Sequence, residues 1–163
     1  MTDHATNAST PEKTTETSAL ESMLGFVIRV VQVQLFEAFY AQFGSRGLTT
    51  GAFTALVAIR DNPGIRQGVL ARTMMVKRSN MTKLIQSMER AGLIERRIPT
   101  YDKRSVELDL TKSGRRLIDS VFDEAIAHDR TTTAALSVHE RNVLIGLLGK
   151  LSDHLRHRIR SDE

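Results

Sequence analysis

The stretch from Met75 to Lys112 restricts this chain more than any other part of it. Met81, Leu84, Ile85 and Met88 fall at i, i+3, i+4 and i+7 and predict one apolar stripe of a helix. Arg78, Thr82 and Gln86 recur every fourth residue on the opposite side, flanked by Ser79, Lys83 and Arg90. Gly92 follows as a helix stop. The pattern then changes to β. Leu93–Arg97 is a short run, and Val106, Leu108 and Leu110 alternate with Glu107 and Asp109 at period two. Pro99-Thr100-Tyr101-Asp102-Lys103-Arg104 supplies the turn between them. The prediction is a helix followed by a two-stranded hairpin with a basic tip. A basic, hydroxyl-rich helix face suits the DNA major groove, whose base edges offer acceptors and donors. A basic tip suits the neighbouring phosphates or the minor groove.

The charge distribution points to the same place. Residues 60–116 carry 14 basic and 6 acidic groups, net +8, whereas residues 1–59 and 117–163 are each net −2. A confined cationic region is the electrostatic footprint of a nucleic-acid surface. Hydrophobic residues make up 40% of the chain, enough for a core. No apolar run approaches ~18 residues, so no membrane span is expected. The N-terminus lacks a basic-then-apolar signal, so a cytoplasmic protein is expected. The absence of cysteine excludes disulfides, thiol nucleophiles and thiolate zinc sites.

Residues 1–18 are rich in Ser and Thr and predict a disordered arm. Leu20–Phe43 predicts one long helix. Leu24, Val27, Ile28, Val31, Leu35, Phe39 and Phe43 form a wide stripe, with Val30, Val33 and Phe36 beside it. So apolar a helix needs cover on more than one side, and a second subunit is the expected cover. Gly44-Ser45-Arg46-Gly47 breaks it. Thr49 or Thr50 caps the next helix, with Phe53, Leu56, Val57 and Ile59 facing inward. Asn62-Pro63-Gly64 is a turn. Ile65–Thr73 reads as a short helix with Val69 and Leu70 inward. Met74-Met75-Val76 joins it to the basic helix, making a helix-turn-helix. This turn lacks the usual glycine, and Lys77 stands where a small polar cap is expected. After the hairpin, a helix runs from Thr111-Lys112-Ser113-Gly114 to about Thr132, with Leu117, Ile118, Val121, Phe122 and Ala125 inward. Ser137 and Glu140 form a capping box for the last helix. Its stripe of Leu144, Leu147, Leu148, Leu151, Leu155 and Ile159 suits subunit pairing.

The chain resembles the MarR family of bacterial transcriptional regulators over residues 20–160. The resemblance rests on Leu70-Ala71-Arg72, on Lys77-Arg78-Ser79-Asn80-Met81-Thr82-Lys83-Leu84-Ile85, and on Met88-Glu89-Arg90-Ala91-Gly92-Leu93-Ile94-Glu95-Arg96. Asp102-Lys103-Arg104-Ser105 matches the family's D-x-R-S wing, and Leu110-Thr111-Lys112-Ser113-Gly114-Arg115 the segment after it. The expected fold is mainly α with a small β-hairpin. A winged helix-turn-helix domain spans 49–114, and a helical dimerisation region combines 19–48 with 115–163. The resemblance implies a homodimer on a pseudo-palindromic operator, its lobes about one DNA turn (~34 Å) apart. It also implies a repressor released by a small anionic effector, an aromatic acid or its coenzyme A thioester. The alternatives are an activator, or an architectural DNA-bending protein without effector.

Lys77, Arg78, Ser79, Asn80, Thr82 and Lys83 are the candidate contacts on the helix. Arg78 suits guanine and Asn80 adenine, while Ser79, Thr82 and Lys83 could hold phosphates. In the wing the candidates are Asp102, Lys103, Arg104 and Ser105. Arg104 resembles the family's minor-groove arginine and Asp102 its orienting partner. For the effector, Phe26, Phe36, Tyr40 and Phe53 offer apolar surface, and Arg29 and Arg46 could pair with an anion. His154 and His157 have metal-ligand spacing but no completing residues; His128 and His139 are isolated. Neither a glycine-rich phosphate loop nor a nucleophile motif is found, so no enzyme and no cofactor are expected.

Overall fold

The computed structural model describes residues 18–100 and 103–161, with the side chains of 159–161 left aside. The expected arm lies outside the described residues except for Ser18, which opens a helix. Two compact units divide the chain, Met1–Leu35 and Phe36–Glu163.

The first unit holds α1 (Ser18–Glu21) and most of α2 (Leu24–Phe43). The single helix expected from Leu20 is interrupted at Ser22-Met23. There the Ser22 hydroxyl donates to the Ala19 carbonyl at 2.8 Å, a local bond that competes with helical continuation. Leu24, Val27, Ile28, Val30, Val31 and Val33 are all exposed. By length and composition Leu24–Arg46 could cross a bilayer, with a mean hydropathy of 1.3, although Arg29 and Glu37 stand within it. A run broken by single charges still averages apolar, and the core helix of a soluble protein has the same length and composition.

The second unit is a winged lobe. Phe39 and Phe43 close α2 in its core. After a 3₁₀ turn at Gly44–Arg46, the Thr49 hydroxyl accepts the Ala52 N–H at 3.2 Å and caps α3 (Thr50–Asp61). Leu56 and Ile59 are buried, while Phe53 and Val57 are half-buried. Ile65–Arg66 is a strand, β1, where a helix start was predicted. Pairing with β3 (Glu107–Leu110) captures it, Ile65 opposite Leu108. α4 (Gln67–Thr73) therefore begins two residues later, and Ala71, not Val69, joins Leu70 inside.

α5 (Arg78–Arg90) buries Met81, Ile85 and Met88. Gly92 ends the turn after it at φ +68°, a left-handed conformation that glycine adopts without steric cost. β2 (Ile94–Arg97) pairs with β3, so the sheet has three antiparallel strands in the order β1-β3-β2 rather than the two predicted. The alternation predicted for β3 also fails at Glu107, which is buried. Its carboxylate accepts from Arg97 on the opposite strand at 2.9 Å, and that bond offsets the cost of burial. α6 (Lys112–Thr132) is capped by Thr111 and buries Ile118, Val121 and Ala125. Before α7 (Val138–Ser161), Ser137 and Glu140 form the predicted capping box, with bonds of 2.6 to 3.3 Å. Those bonds, the Ser137 hydroxyl's first, hold the Glu140 carboxyl below the usual carboxylate range. Val143, Leu144, Ile145, Leu147, Leu148 and Leu155 on α7 are exposed.

Candidate nucleic-acid interface

α5 is held from behind and free in front. Its apolar stripe is sealed into the core, so its opposite side must face outward. Arg78, Ser79, Asn80, Lys83 and Gln86 are exposed there. The turn that delivers this helix is tight. Val76 N–H donates to the Ala71 carbonyl at 3.0 Å and Met75 N–H to the Arg72 carbonyl at 3.2 Å. Met75 takes φ +54°, the position a glycine usually fills, at a cost on the order of 1 kcal/mol. Lys77 occupies the N-cap and makes no side-chain capping bond. The first N–H groups of α5 are thus left for an external acceptor, which a DNA phosphate can supply.

A groove of about 980 Å³ opens beside this helix start. Six cations line it: Arg66, Arg72, Lys77, Arg78, Arg104 and Arg156. The fold thus brings Lys77 and Arg78 of the helix together with Arg104 and Ser105 of the wing, as the sequence predicted in part. Ser79, Asn80 and Lys83 stand on the exposed helix face outside the groove lining, and Lys103 is exposed at the wing. Asp102 lies outside the described residues. Thr82 behaves differently from its neighbours. Its hydroxyl donates to the Arg78 carbonyl at 3.0 Å and accepts from Gln67 Nε2 at 3.1 Å, so its only proton is used within the lobe.

Sequence reasoning missed Arg66, Arg72 and Arg156. Arg66 precedes the helix-turn-helix, Arg72 stands in the last turn of its first helix, and both belong to the basic region, a usable signal. Arg156 comes from α7, and nothing in its local sequence marks it.

The effector candidates are dispersed. In the first unit, Phe26 is half-buried and Arg29 exposed. In the second, Phe36 and Tyr40 are exposed on α2. Phe53 joins an aromatic cluster, its ring centroid 5.4 Å from Phe39 and 6.4 Å from Phe122. Arg46 is not an open cation. It bonds Glu124 at 2.6 and 3.2 Å, and Gln42 bonds the same carboxylate at 2.8 Å. Arg46 foremost, then Gln42, holds the Glu124 carboxyl below its usual range. An anionic effector would have to displace Glu124 to reach Arg46.

A helix-turn-helix presenting a cationic helix, with an antiparallel wing beside it, defines a winged-helix DNA-binding protein. The MarR family model matches residues 48–106. A putative transcriptional regulatory protein for the hcr operon of Thauera aromatica is 35% identical over 129 residues, 78% of each chain. The transcriptional repressor YetL of Bacillus subtilis (strain 168) is 30% identical over 118 residues, 69% of each chain. Among solved structures, the transcriptional repressor CouR bound to a 23-mer DNA duplex superposes with a TM-score of 0.77 at 27% identity. The match covers 86% of this chain and 99% of that one. The chain belongs to the MarR family of DNA-binding transcriptional regulators.

Within that class Arg78 has a testable role. Arg78→Ala is expected to cost ~1–3 kcal/mol per half-site in operator binding and to relax preference at one position in each. Binding measured on operators altered at single positions checks it. Equal weakening on specific and random DNA would instead make Arg78 a phosphate anchor.

Proposed function

We propose that the chain is a ligand-responsive repressor. It binds a pseudo-palindromic operator as a homodimer and leaves it when a small anionic, aromatic effector binds, either an aromatic acid or its coenzyme A thioester. One observation carries the DNA half of this reading: the cationic groove shared by the start of α5 and the wing. Pairing is supported by the exposed leucines and valines of α7 in one unit and of α2 in the other, surfaces too apolar to face water alone. The names of YetL and CouR support repression. The cluster of Phe39, Phe43, Phe53 and Phe122, next to the Arg46–Glu124 pair, supports an aromatic acid as effector: rings for its ring, and a guanidinium that can exchange one carboxylate for another.

Two measurements test it. The purified protein should footprint a promoter, that of its own gene first, with a specific-to-random affinity ratio of ~10³ or more; an architectural protein would lack that ratio. Thermal-shift screening against aromatic acids and their coenzyme A esters should find a binder. A ligand at 100 times its Kd adds about 2.7 kcal/mol to the folded state. A binder that leaves the footprint intact would separate ligand binding from release and refute the effector-release half.

A further inference from the structure

Gln67 sits at the joint between the two DNA-facing elements. Its backbone N–H donates to the Val106 carbonyl at the root of the wing, at 2.8 Å. Its side-chain Nε2 donates to Thr82 Oγ1 on α5, at 3.1 Å. The Thr82 hydroxyl passes the connection on to the Arg78 carbonyl at 3.0 Å. One residue therefore bonds both the wing, two positions from Arg104, and the reading helix at Thr82, one turn in from Arg78. The surrounding frame is firm: Gly64 N–H donates to the Leu108 carbonyl at 3.1 Å and to Asp109 Oδ1 at 2.8 Å. A phosphate oxygen needs a donor, and Thr82 has one proton, already given to Arg78.

We propose that Gln67 and Thr82 are positioning residues. They set the wing against α5 and so govern sequence discrimination, without touching DNA through the Thr82 hydroxyl. The inference rests on the regulator reading above and deepens it. A base-reading helix must be placed to a fraction of an ångström, so losing a link behind it costs specific contacts first.

The test uses Gln67→Met and Thr82→Val, which keep size and remove the bond, with Thr82→Ser as rescue. Each of the first two should weaken operator binding about 3- to 10-fold per half-site, what one neutral hydrogen bond is worth, and so about 10- to 100-fold for the proposed homodimer. Random-DNA affinity and its salt slope should stay at wild-type values, since no phosphate contact is lost. The double variant should lose no more than either single one, because both remove the same bond. Thr82→Ser should bind as wild type does. If Thr82→Val weakens operator and random DNA alike, with a shallower salt slope, Thr82 is a phosphate ligand and the proposal fails. It fails too if Gln67→Met binds the operator at full strength. A readout without DNA keeps the two claims apart. In the Thr82→Val protein, the Gln67 amide hydrogen bonded to the wing should exchange about 3- to 10-fold faster; an unchanged rate overturns the link. A wild-type protein with no operator preference would sink the regulator reading, and the exchange result would still judge the joint.

Discussion

Arg104→Ala should weaken operator binding at least about 30-fold and leave the fold nearly as stable as before. Arg104 is exposed and lines the cationic groove from the wing side. A minor groove is narrow and strongly negative, and an arginine inserted into it is both attracted and oriented. Losing one such contact costs ~1–3 kcal/mol. In the proposed homodimer the substitution acts at two wings, so the loss doubles to roughly 2–6 kcal/mol, about 30-fold to 10⁴-fold in affinity. Folding loses at most ~1 kcal/mol, the ceiling for an exposed ion pair. Gel-shift titration beside a thermal melt measures both. Arg104→Lys should fall between, since it keeps the charge but not the planar fork. A fully active Arg104→Ala protein would remove the wing from the interface.

Gly114→Ala should be severely destabilising. Gly114 lies in the first turn of α6, where a Cβ would stand 1.9 Å from the Leu93 carbonyl oxygen. That oxygen cannot step aside. It accepts from Thr111 N–H at 3.1 Å, and Thr111 Oγ1 bonds the Gly92 carbonyl next to it at 2.6 Å. Backbone must therefore move against backbone, unlike an ordinary core insertion that flexible side chains absorb. Overpacking typically costs 1–3 kcal/mol; here ~3 kcal/mol or more is expected. Since Leu93 leads directly into β2, the wing should loosen and operator binding fall with it. Denaturant unfolding should show a lower midpoint at an unchanged slope. A shift under ~0.5 kcal/mol would mean that α6 does not approach the α5–β2 turn as closely as this.

Features written in neighbouring residues were legible in advance. Thr49, Thr111 and the Ser137–Glu140 pair cap their helices within three residues of where they stand. Gly92 stops α5 where the periodicity ends, and the Met81–Ile85–Met88 stripe is buried as its spacing requires. β1 could not be read this way. Two residues have no period, and Ile65–Arg66 is a strand only because Glu107 and Leu108 lie alongside. Nor could the burial of Glu107 be foreseen, because its cover depends on Arg97 arriving from the next strand.

The interface divides along the same line. Charge, helix periodicity and the wing motif were enough to put Lys77, Arg78 and Arg104 on the exposed side, because exposure of one helix face follows from burial of the other. The employment of individual polar groups was not legible. Thr82 shares the periodicity of Arg78 and Gln86, yet its proton goes inward to Arg78 while Gln67, fifteen positions away, bonds its oxygen. Arg46 looked like a free cation and is bound to Glu124, 78 positions along the chain. Periodicity reports which side of an element a residue occupies. A hydrogen bond needs partner atoms within about 3.5 Å and in line, and for residues so far apart in the chain that distance is set by how the helices pack.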